Sequence, residues 1–344
     1  MNSFGKIFRV SIFGESHGES VGINIDGVPA GLPLTEEDLL PDLERRKGGK
    51  QKGTTPRQEA DYPFFKSGLF NGKTTGFPIT ILFENNNTRS EDYQKQRSFP
   101  RPGHADWVAH QKFGGHEDYR GGGHFSARLT TALVAAGAIA KKLMRNLTPN
   151  LSPKDLEGEV NITAAVIEIN GETNLEKGLQ NAINAKDSVG GIIECSVTGI
   201  PVGLGEPYFD SLESLLSHAV FSIPAVKGIE FGSGFAAAKM FGTQHNDAIE
   251  NMQGKTTTNH AGGIVGGISN GNELVFRIAI KPTSSTPKQQ QSLNWETGQV
   301  EDFSIKGRHD LCVALRAPVI VEAATALVLV DCMLQEQLIP RIIR

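Results

Sequence analysis

Three glycines stand between two arginines in RGGGHFSAR, residues 120–128, and a histidine, a phenylalanine and a serine follow them. A run of glycine lets backbone N–H groups come close to a ligand. Arginine guanidiniums pair with carboxylates and phosphates. The stretch also leads into an apolar helical pattern, and the N-terminus of a helix favours an anion. It therefore predicts an anion-binding loop, and it leaves the role of His124 open.

Two other glycine-framed turns each present a histidine: FGESHG (13–18) contains His17, and RPGHADW (101–107) contains His104. An imidazole titrates near neutral pH and can hold or donate a proton. The alternative for His17 is a turn histidine bonded to nearby backbone. Asp106 could orient the imidazole of His104, or it could cap the helix that follows.

Two further regions carry groups that bind anions. Six cations crowd into ERRKGGKQKGTTPR (44–57), which we interpret as a mobile basic stretch. KPTSS (281–285) places three hydroxyls after a lysine, and KGRHD (306–310) sets an arginine, a histidine and an aspartate before a helix. We predict a phosphate or carboxylate site here. The alternative is a set of solvated loops with helix caps.

Two buried helices are predicted to position these turns. SARLTTALVAAGAIAKKLM (126–144) is small or apolar almost all round, with Ser126 as its candidate N-cap. A second apolar helix follows Pro318, which suits the first helical turn. GNELVFRIAIKP (271–282) is typical of a strand.

A weak internal echo links SVGINIDGVPAGL (20–32) with SVGGIIECSVTGIPVGL (188–204). Each predicts a strand, a glycine–proline turn and then a helix. The echo indicates two related halves, although chance similarity between strand–turn–helix units is an equal alternative. The first of these helices has a start at Thr35, and Pro41 would kink it or delay that start. We interpret the polar segment 146–187 as a peripheral insertion and expect a single domain over 1–344.

The amino-acid composition limits the classes to which this protein can belong. The 344 residues, 38% apolar and 21% charged, allow a sizeable core, and the net charge of −4 argues against a general nucleic-acid binder. Three cysteines without a CxxC pair favour a reducing compartment. The chain starts without a signal-peptide pattern, and its longest apolar run (323–330) is too short to cross a bilayer, so we expect a cytoplasmic protein.

Sequence motifs for other chemistries are missing. The chain has no HExxH, no zinc-type spacing of histidine and cysteine, no GxSxG and no Walker A sequence, so we expect no metal. The residues alone predict an α/β-type enzyme with at least two exposed histidines and a phosphorylated, multiply anionic substrate. They do not name a reaction.

The motifs, taken together and in order, resemble the chorismate synthase family. The matching segments are FGESHG, DGVPAGLPL, RPGHAD, DYRGGGHFSAR, AAGAIAKK, GIPVGLGEP, AVKG, NHAGGI, KPTSS and KGRHD, from residue 7 to about residue 335. The resemblance implies an α+β fold, a β-α-β sandwich with buried helices between antiparallel sheets and two pseudo-repeated halves. It also implies a homotetramer.

The activity that the resemblance implies is a carbon–oxygen lyase reaction. Chorismate synthases convert 5-enolpyruvylshikimate 3-phosphate to chorismate and phosphate by anti-1,4-elimination, the last step of the shikimate pathway of aromatic amino acid biosynthesis. The reaction requires reduced FMN without net redox change. NADPH is implied as a candidate reductant for the flavin.

Site residues follow from the same resemblance. His17 would protonate or hold the reduced flavin, His104 would act at the leaving phosphate, and Asp310 would help to remove the substrate proton. Substrate-binding residues would be Ser16, Arg46, Lys52, Arg101, Arg128 and Arg308. Flavin-binding residues would be His124, Phe125, Ser126, Pro224, Ala225, Asn259, Gly266, Lys281, Pro282, Thr283, Ser284, Ser285 and Arg308. NADP contacts would fall on Arg46 and Lys52.

The chain departs from the family pattern at a few of these positions. Members often carry Arg-Ser-Ser-Ala-Arg where this chain has HFSAR (124–128). Pro224 stands where asparagine is common, and Lys52 replaces an arginine and so loses bidentate geometry.

Two rival functions stay open at this point. One is an NADPH-dependent flavin reductase, and the other is a non-enzymatic anion-binding or scaffold module. Because no extra domain is evident, we expect the chain to depend on an external source of reduced flavin.

Overall fold

Two antiparallel sheets enclose a layer of long helices in the computed structural model, which describes residues 2–49, 52–55, 59–86, 98–147, 159–305 and 309–343. The strands of the first sheet are β1 (Ser3–Phe4), β2 (Arg9–Gly14), β3 (Ser20–Asp26), β4 (Phe64–Ser67) and β7 (Ile79–Glu84), in the order β1-β2-β3-β7-β4. Those of the second are β8 (Asn161–Ile169), β9 (Gly191–Thr198), β10 (Val226–Phe231) and β13 (Leu274–Ile280), in the order β10-β13-β9-β8.

The remaining strands in the described part of the chain form three small two-stranded hairpins. They are β5 (Leu69–Phe70) with β6 (Lys73–Thr74), β11 (Ile264–Val265) with β12 (Ile268–Ser269), and β14 (Gln290–Leu293) with β15 (Val300–Phe303).

Seven α-helices lie among the described residues: α1 (Leu40–Arg46), α2 (Asp106–Phe113), α3 (Thr130–Leu147), α4 (Leu175–Ala185), α5 (Leu212–Val220), α6 (Gly242–His245) and α7 (Pro318–Gln335). Short 3₁₀ helices occupy Glu36–Asp38, Ala127–Leu129, Tyr208–Asp210, Gly234–Lys239 and Val313–Arg316. Arg120–Phe125 forms two tight turns that are separated by non-helical backbone at 121–123.

The central layer is formed by α3 and α7, which pack against each other. Helix α3 faces strands β2, β3 and β7 of the first sheet, and α7 faces β8 and β9 of the second. Every second residue of β13 is buried toward this layer, as a sheet with one covered face requires. Gly137 of α3 lies so close to α7 that a Cβ there would be 2.3 Å from the Cβ of Ala323.

Helix α7 is long and apolar enough to cross a membrane by length and composition. However, 89% of that 18-residue window is buried inside the protein. Its place between the two sheets accounts for its composition, because a helix that is covered on all sides is apolar all round.

The predicted β-α-β sandwich is confirmed. The two copies of the sequence echo form β3 and β9, which are inner strands of different sheets. Pro41 delays its helix: a 3₁₀ turn covers Glu36–Asp38, and α1 begins at Leu40 with Pro41 in its first turn. Ser126 caps the 3₁₀ turn that precedes α3, and its hydroxyl accepts a hydrogen bond from the N–H of Arg128.

The interpretation of 146–187 as a peripheral insertion is wrong. Residues 161–169 form β8, the edge strand of the second sheet, which pairs with β9 along its length with one register shift between Val166 and Glu168. The sequence of β8 appeared polar and mixed because one face of the strand stays at least partly exposed and carries polar residues. Residues 148–158 lie outside the described part of the chain.

Candidate active site

A cavity of about 550 Å³ collects segments that are far apart in the sequence. Its walls come from the end of α1, from the turns at 101–105 and 121–128, and from residues 221–226, 281–285 and 309–316. The predicted site residues that line it are Arg46, Arg101, His104, His124, Phe125, Ser126, Arg128, Pro224, Ala225, Lys281, Pro282, Thr283, Ser284, Ser285 and Asp310. The structure therefore brings most of the predicted site together.

Positive charge dominates the described walls. Six cationic side chains line the cavity against three carboxylates. The cations are Arg46, Lys47, Arg101, Arg128, Lys281 and Arg316, and the carboxylates are Glu59, Asp61 and Asp310. A ligand that carries several negative charges complements this lining.

His104 is held by Asp106, so the orienting alternative is correct. The Nδ1 atom of His104 lies 2.6 Å from Oδ1 of Asp106. Arg101 donates to both oxygens of that carboxylate, from Nε at 2.7 Å and from Nη2 at 2.8 Å. Burial on its own would raise the pKa of Asp106, but the hydrogen bonds from Arg101 and His104 outweigh burial and hold the pKa well below its usual range. Helix α2 begins at Asp106 without a side-chain cap.

The glycine run 121–123 allows close contact with two histidines. All three glycines have positive φ, a backbone conformation that residues with a side chain rarely adopt. A Cβ at Gly121 would lie 2.4 Å from Cδ2 of His17, and a Cβ at Gly122 would lie 3.2 Å from Cε1 of His104. Only glycine lets this turn pass between the two imidazoles.

Ser16 and His17 lie behind that turn and not in the cavity wall. Ser16 is 0% exposed and His17 is 6% exposed, so neither side chain is accessible from solvent. The backbone N–H of Ser16 donates to the carbonyl of Gly123 at 3.1 Å. Its hydroxyl has no hydrogen-bond partner among the described residues. The β2–β3 connection is folded inward against the glycines, which explains this burial.

Arg46 and Arg128 are joined through Asp61, a residue that the sequence did not single out. Nη2 of Arg46 donates to Oδ2 of Asp61 at 2.9 Å, and Nη1 of Arg128 donates to Oδ1. Both arginines are nearly fully buried, at 4% and 6% exposure. Burial lowers the pKa of Arg46 to about 10, and the neighbouring Arg128 and Arg316 contribute in the same direction. Arg46 thus belongs to the last turn of α1, and its prediction as part of a mobile loop is wrong.

Asp310 has both carboxylate oxygens engaged. Oδ1 accepts from the backbone N–H of Thr55 at 2.8 Å, and Oδ2 accepts from Nη1 of Arg316 at 2.9 Å. Beside it, Nε2 of His309 is buried without a partner in the described structure. Burial, together with the charges of Arg101 and His104, lowers the pKa of His309 below its ordinary value, against the opposing effect of Asp310.

The KPTSS segment turns its polar groups toward the 101–104 turn. Nζ of Lys281 donates to the carbonyl of Gly103 at 2.9 Å, and Oγ of Ser284 donates to the same carbonyl at 2.7 Å. Burial lowers the pKa of Lys281, and Lys227 adds to the effect. The buried hydroxyl of Thr283 has no partner among the residues described.

His124 also has a defined partner beside the cavity. Its Nδ1 lies 2.8 Å from the carbonyl oxygen of Gly14. An imidazole that donates from Nδ1 to this carbonyl presents Nε2 as its second polar atom. Phe125 is 41% exposed beside it.

Besides Ser16 and His17, three further predicted residues are not in the cavity wall. Lys52 is exposed and donates to Oε1 of Gln180 at 3.1 Å. Asn259 donates from its side chain to the carbonyl of Glu273, directly before β13, at 2.7 Å. Gly266 lies in the turn between β11 and β12. Arg308 lies outside the described residues.

Asp61, His309 and Arg316 are the functional candidates that sequence reasoning missed. The sequence did contain a signal for His309, because this residue stands next to Asp310 in the KGRHD motif. The sequence contained no such signal for Asp61 or Arg316, since the side-chain contacts of each form only in the folded protein. No group of three potential metal ligands occurs in the described part of the chain.

Comparison with known proteins agrees with the motifs. A family model described as chorismate synthase matches residues 8–334. The chorismate synthase of Chitinophaga pinensis is 67% identical over 337 residues, covering 98% of each chain. That of Dehalococcoides mccartyi is 44% identical and covers 100% of this chain and 99% of the relative. A crystal structure of a chorismate synthase superposes with a TM-score of 0.69 at 27% identity, covering 97% of this chain and 93% of that one. The chain belongs to the chorismate synthase family.

Proposed function

We propose that this chain converts 5-enolpyruvylshikimate 3-phosphate to chorismate and phosphate by anti-1,4-elimination. The observation that carries the proposal is that Arg101 and His104, both held by Asp106, lie in the wall of a cation-lined cavity that Asp310 also lines. The substrate bears two carboxylates and a phosphate, which suits that lining. The cavity volume of about 550 Å³ is within the range of small-molecule sites.

Arg101 and His104 are the proposed phosphate-binding pair. The leaving phosphate gains negative charge as its bond to carbon breaks, and a guanidinium beside it stabilises that charge. His104 donates a hydrogen bond or a proton to it. Asp106 fixes both groups and balances the positive charge that an imidazolium at His104 would carry.

Asp310 is the proposed acceptor for the substrate proton. Its hydrogen bonds from Thr55 and Arg316 fix the direction of the carboxylate. Arg46 and Arg128 are proposed to bind a substrate carboxylate, and Lys281 adds positive charge on the opposite segment.

The residues present fit a reduced FMN. The buried hydroxyl of Thr283, which has no partner among the described residues, supplies a hydrogen-bonding group, and the exposed ring of Phe125 supplies an aromatic contact. Reduced flavin, when bound, supplies electron density that assists departure of the phosphate. The cofactor-binding residues proposed in this chain are His124, Phe125, Ser126, Pro224, Ala225, Lys281, Pro282, Thr283, Ser284 and Ser285.

The remaining assignments are carried by the family resemblance. They are Ser16 and Lys52 toward substrate, His17, Asn259, Gly266 and Arg308 toward flavin, and Arg46 with Lys52 toward NADP. We also propose a cytoplasmic homotetramer in which residues 1–344 act as one domain. Equilibrium sedimentation of the purified chain tests the tetramer.

An anaerobic assay tests the proposed reaction. The protein is mixed with chemically reduced FMN and 5-enolpyruvylshikimate 3-phosphate, and chorismate absorbance is followed alongside phosphate release. We expect equal amounts of both products, and none when the flavin is left oxidised. Flavin binding without either product would refute the proposed reaction.

The source of reduced flavin is tested separately. We propose an external source, so the chain with oxidised FMN and no substrate should not consume NADPH. Sustained NADPH oxidation under these conditions would contradict that expectation and would favour a built-in flavin reductase.

A further inference from the structure

The two arginines assigned to a substrate carboxylate are not free to bind one. Asp61 already spans them, with one carboxylate oxygen on Arg46 and the other on Arg128. All three side chains are at least nine-tenths buried, and all three line the cavity. An incoming anion must therefore either bind away from Arg46 and Arg128 or replace the carboxylate of Asp61.

The way Asp61 is held differs from that of a structural carboxylate in the same protein. Asp331, also buried, accepts hydrogen bonds from the backbone N–H groups of Lys6, Ile7 and Phe8. Such a carboxylate is tied to the main chain and cannot leave. The hydrogen bonds to the carboxylate of Asp61 in the described structure come only from the two guanidiniums. Another oxyanion of similar geometry can satisfy the same donors.

Two further observations point to a ligand at these arginines. Nε of Arg46 is buried and has no acceptor among the described residues, so one charge-assisted donor is left over. Two guanidiniums face one carboxylate, which leaves one positive charge without a direct counter-ion at the pair. Asp61 itself has a φ of 50°, in the left-handed region that non-glycine residues adopt at a cost. Its release from this conformation offsets part of the energy needed to move it.

We propose that Asp61 is an internal counter-ion that occupies the oxyanion seat between Arg46 and Arg128 until a carboxylate or phosphate of the ligand displaces it. Its identification with a group of 5-enolpyruvylshikimate 3-phosphate rests on the proposed function. The seat itself does not, because it is defined by the two arginines and one carboxylate. Asp61 is on this view a specificity-determining residue that competes with substrate, and not a catalytic one.

Anion binding to the flavin-free chain tests the proposal. Inorganic phosphate and acetate are titrated calorimetrically into the wild type and Asp61→Asn at constant pH and ionic strength. Removing the competing charge should raise the affinity for at least one of these anions by about ten-fold or more, since two close charges interact strongly at a partly buried site. The anion that gains more identifies the kind of group that the seat accepts.

Two variants serve as matched controls. Asp61→Glu keeps the negative charge, and Glu59→Gln removes another carboxylate from the same cavity wall. We expect both to bind phosphate within about two-fold of the wild type, because neither empties the seat. A gain in Glu59→Gln equal to that in Asp61→Asn would overturn the proposal, since it would reflect only the net charge of the cavity.

Thermal unfolding tests the proposal even if Asp61→Asn is less stable than the wild type. Ligand binding stabilises the folded state according to its affinity, so phosphate should raise the Tm of Asp61→Asn more steeply than that of the wild type. Unchanged or weaker anion binding in a folded Asp61→Asn would refute the proposal. So would failure of this variant to fold with and without phosphate, because the carboxylate would then be a structural requirement. None of these measurements needs flavin or turnover, so they stand or fall apart from the proposed reaction.

Discussion

The carboxylate of Asp106 orients two side chains at once, because Oδ1 contacts Nδ1 of His104 at 2.6 Å while Arg101 bridges both oxygens. Nη1 of Arg101 also reaches Oγ of Ser285 at 3.3 Å. One acidic residue in the first turn of α2 thus links the RPGHAD turn to the KPTSS segment. The cation and the imidazole keep a fixed relative position because they share this anchor.

Asp106→Asn should impair turnover more than substrate binding. The amide loses the charge that holds Arg101 and His104, so the group beside the leaving phosphate is misplaced. We expect kcat to fall by about 100-fold, at the low end of the effect of losing a general acid. Anaerobic steady-state assays with reduced FMN measure it. The KM for substrate should change by a smaller factor, because Arg46 and Arg128 are untouched.

A second carboxylate–histidine pair provides the control. Oε1 of Glu117 lies 3.2 Å from Nδ1 of His110, also on α2, and neither residue lines the large cavity. Glu117→Gln should leave kcat within about two-fold of the wild type. Equal losses in the two variants would contradict the assigned role of Asp106 and would indicate a general effect on α2.

Gly121→Ala should disable the site by displacing His17. A Cβ at this position would meet Cδ2 of His17 at 2.4 Å and Nε2 at 2.6 Å. Because a shift of about 1 Å in a catalytic group can cost about 100-fold in rate, we expect at least that loss in kcat/KM. Gly171 has a similar positive φ of 77°, and no heavy atom of the described residues lies within 4 Å of its Cβ position. Gly171→Ala isolates backbone strain and should keep its activity; if it lost as much, collision with His17 would not be the cause.

His309 should make stability depend on pH. Burial lowers its pKa in the folded state, so below about pH 6.5 the unfolded chain binds a proton that the folded chain does not. The free energy of unfolding should therefore fall as pH drops below that value, with a slope of up to about 1.4 kcal/mol per pH unit from this group. Urea unfolding at pH 7.5 and 5.5 measures it. The decrease should be smaller in His309→Gln.

Exposed His116 supplies the comparison for that experiment. His116→Gln should keep the full pH dependence of the wild type. If His309→Gln and the wild type lost equal stability between the two pH values, His309 would not be the group that resists protonation.

The elements that lie in the central layer were predictable, because their apolar pattern is continuous. Residues 130–140 and 319–334 are buried throughout, and no polar face interrupts these stretches. The turns that carry His104 and the 281–285 hydroxyls were also predictable, since glycine, proline and short polar residues together favour a turn. These local signals located most of the cavity wall.

Contacts between distant segments were not predictable. Asp61 reaches Arg46 and Arg128 only because α1, the start of β4 and the glycine turn meet in the fold. The basic run 44–57 appeared to be one unit, yet Arg46 is buried while Lys52 is exposed and bonds to Gln180. Net charge in a sequence window carries no information about which side chain faces inward.

Gly137→Ala tests how tightly the two central helices are packed. Alanine favours an isolated helix by about 1 kcal/mol over glycine, so propensity predicts stabilisation. At this position, however, the new Cβ would lie 2.3 Å from Cβ and 2.4 Å from Cα of Ala323 on α7, and a main-chain atom cannot move aside cheaply. Overpacking of this kind costs about 1–3 kcal/mol, so the free energy of unfolding should fall in urea titrations. Gly242 provides the control, because no heavy atom in the described part of the chain lies within 4 Å of its Cβ position. Gly242→Ala should change stability by less than about 0.5 kcal/mol, and a stabilised Gly137→Ala would mean that α3 and α7 separate more easily than their packing implies.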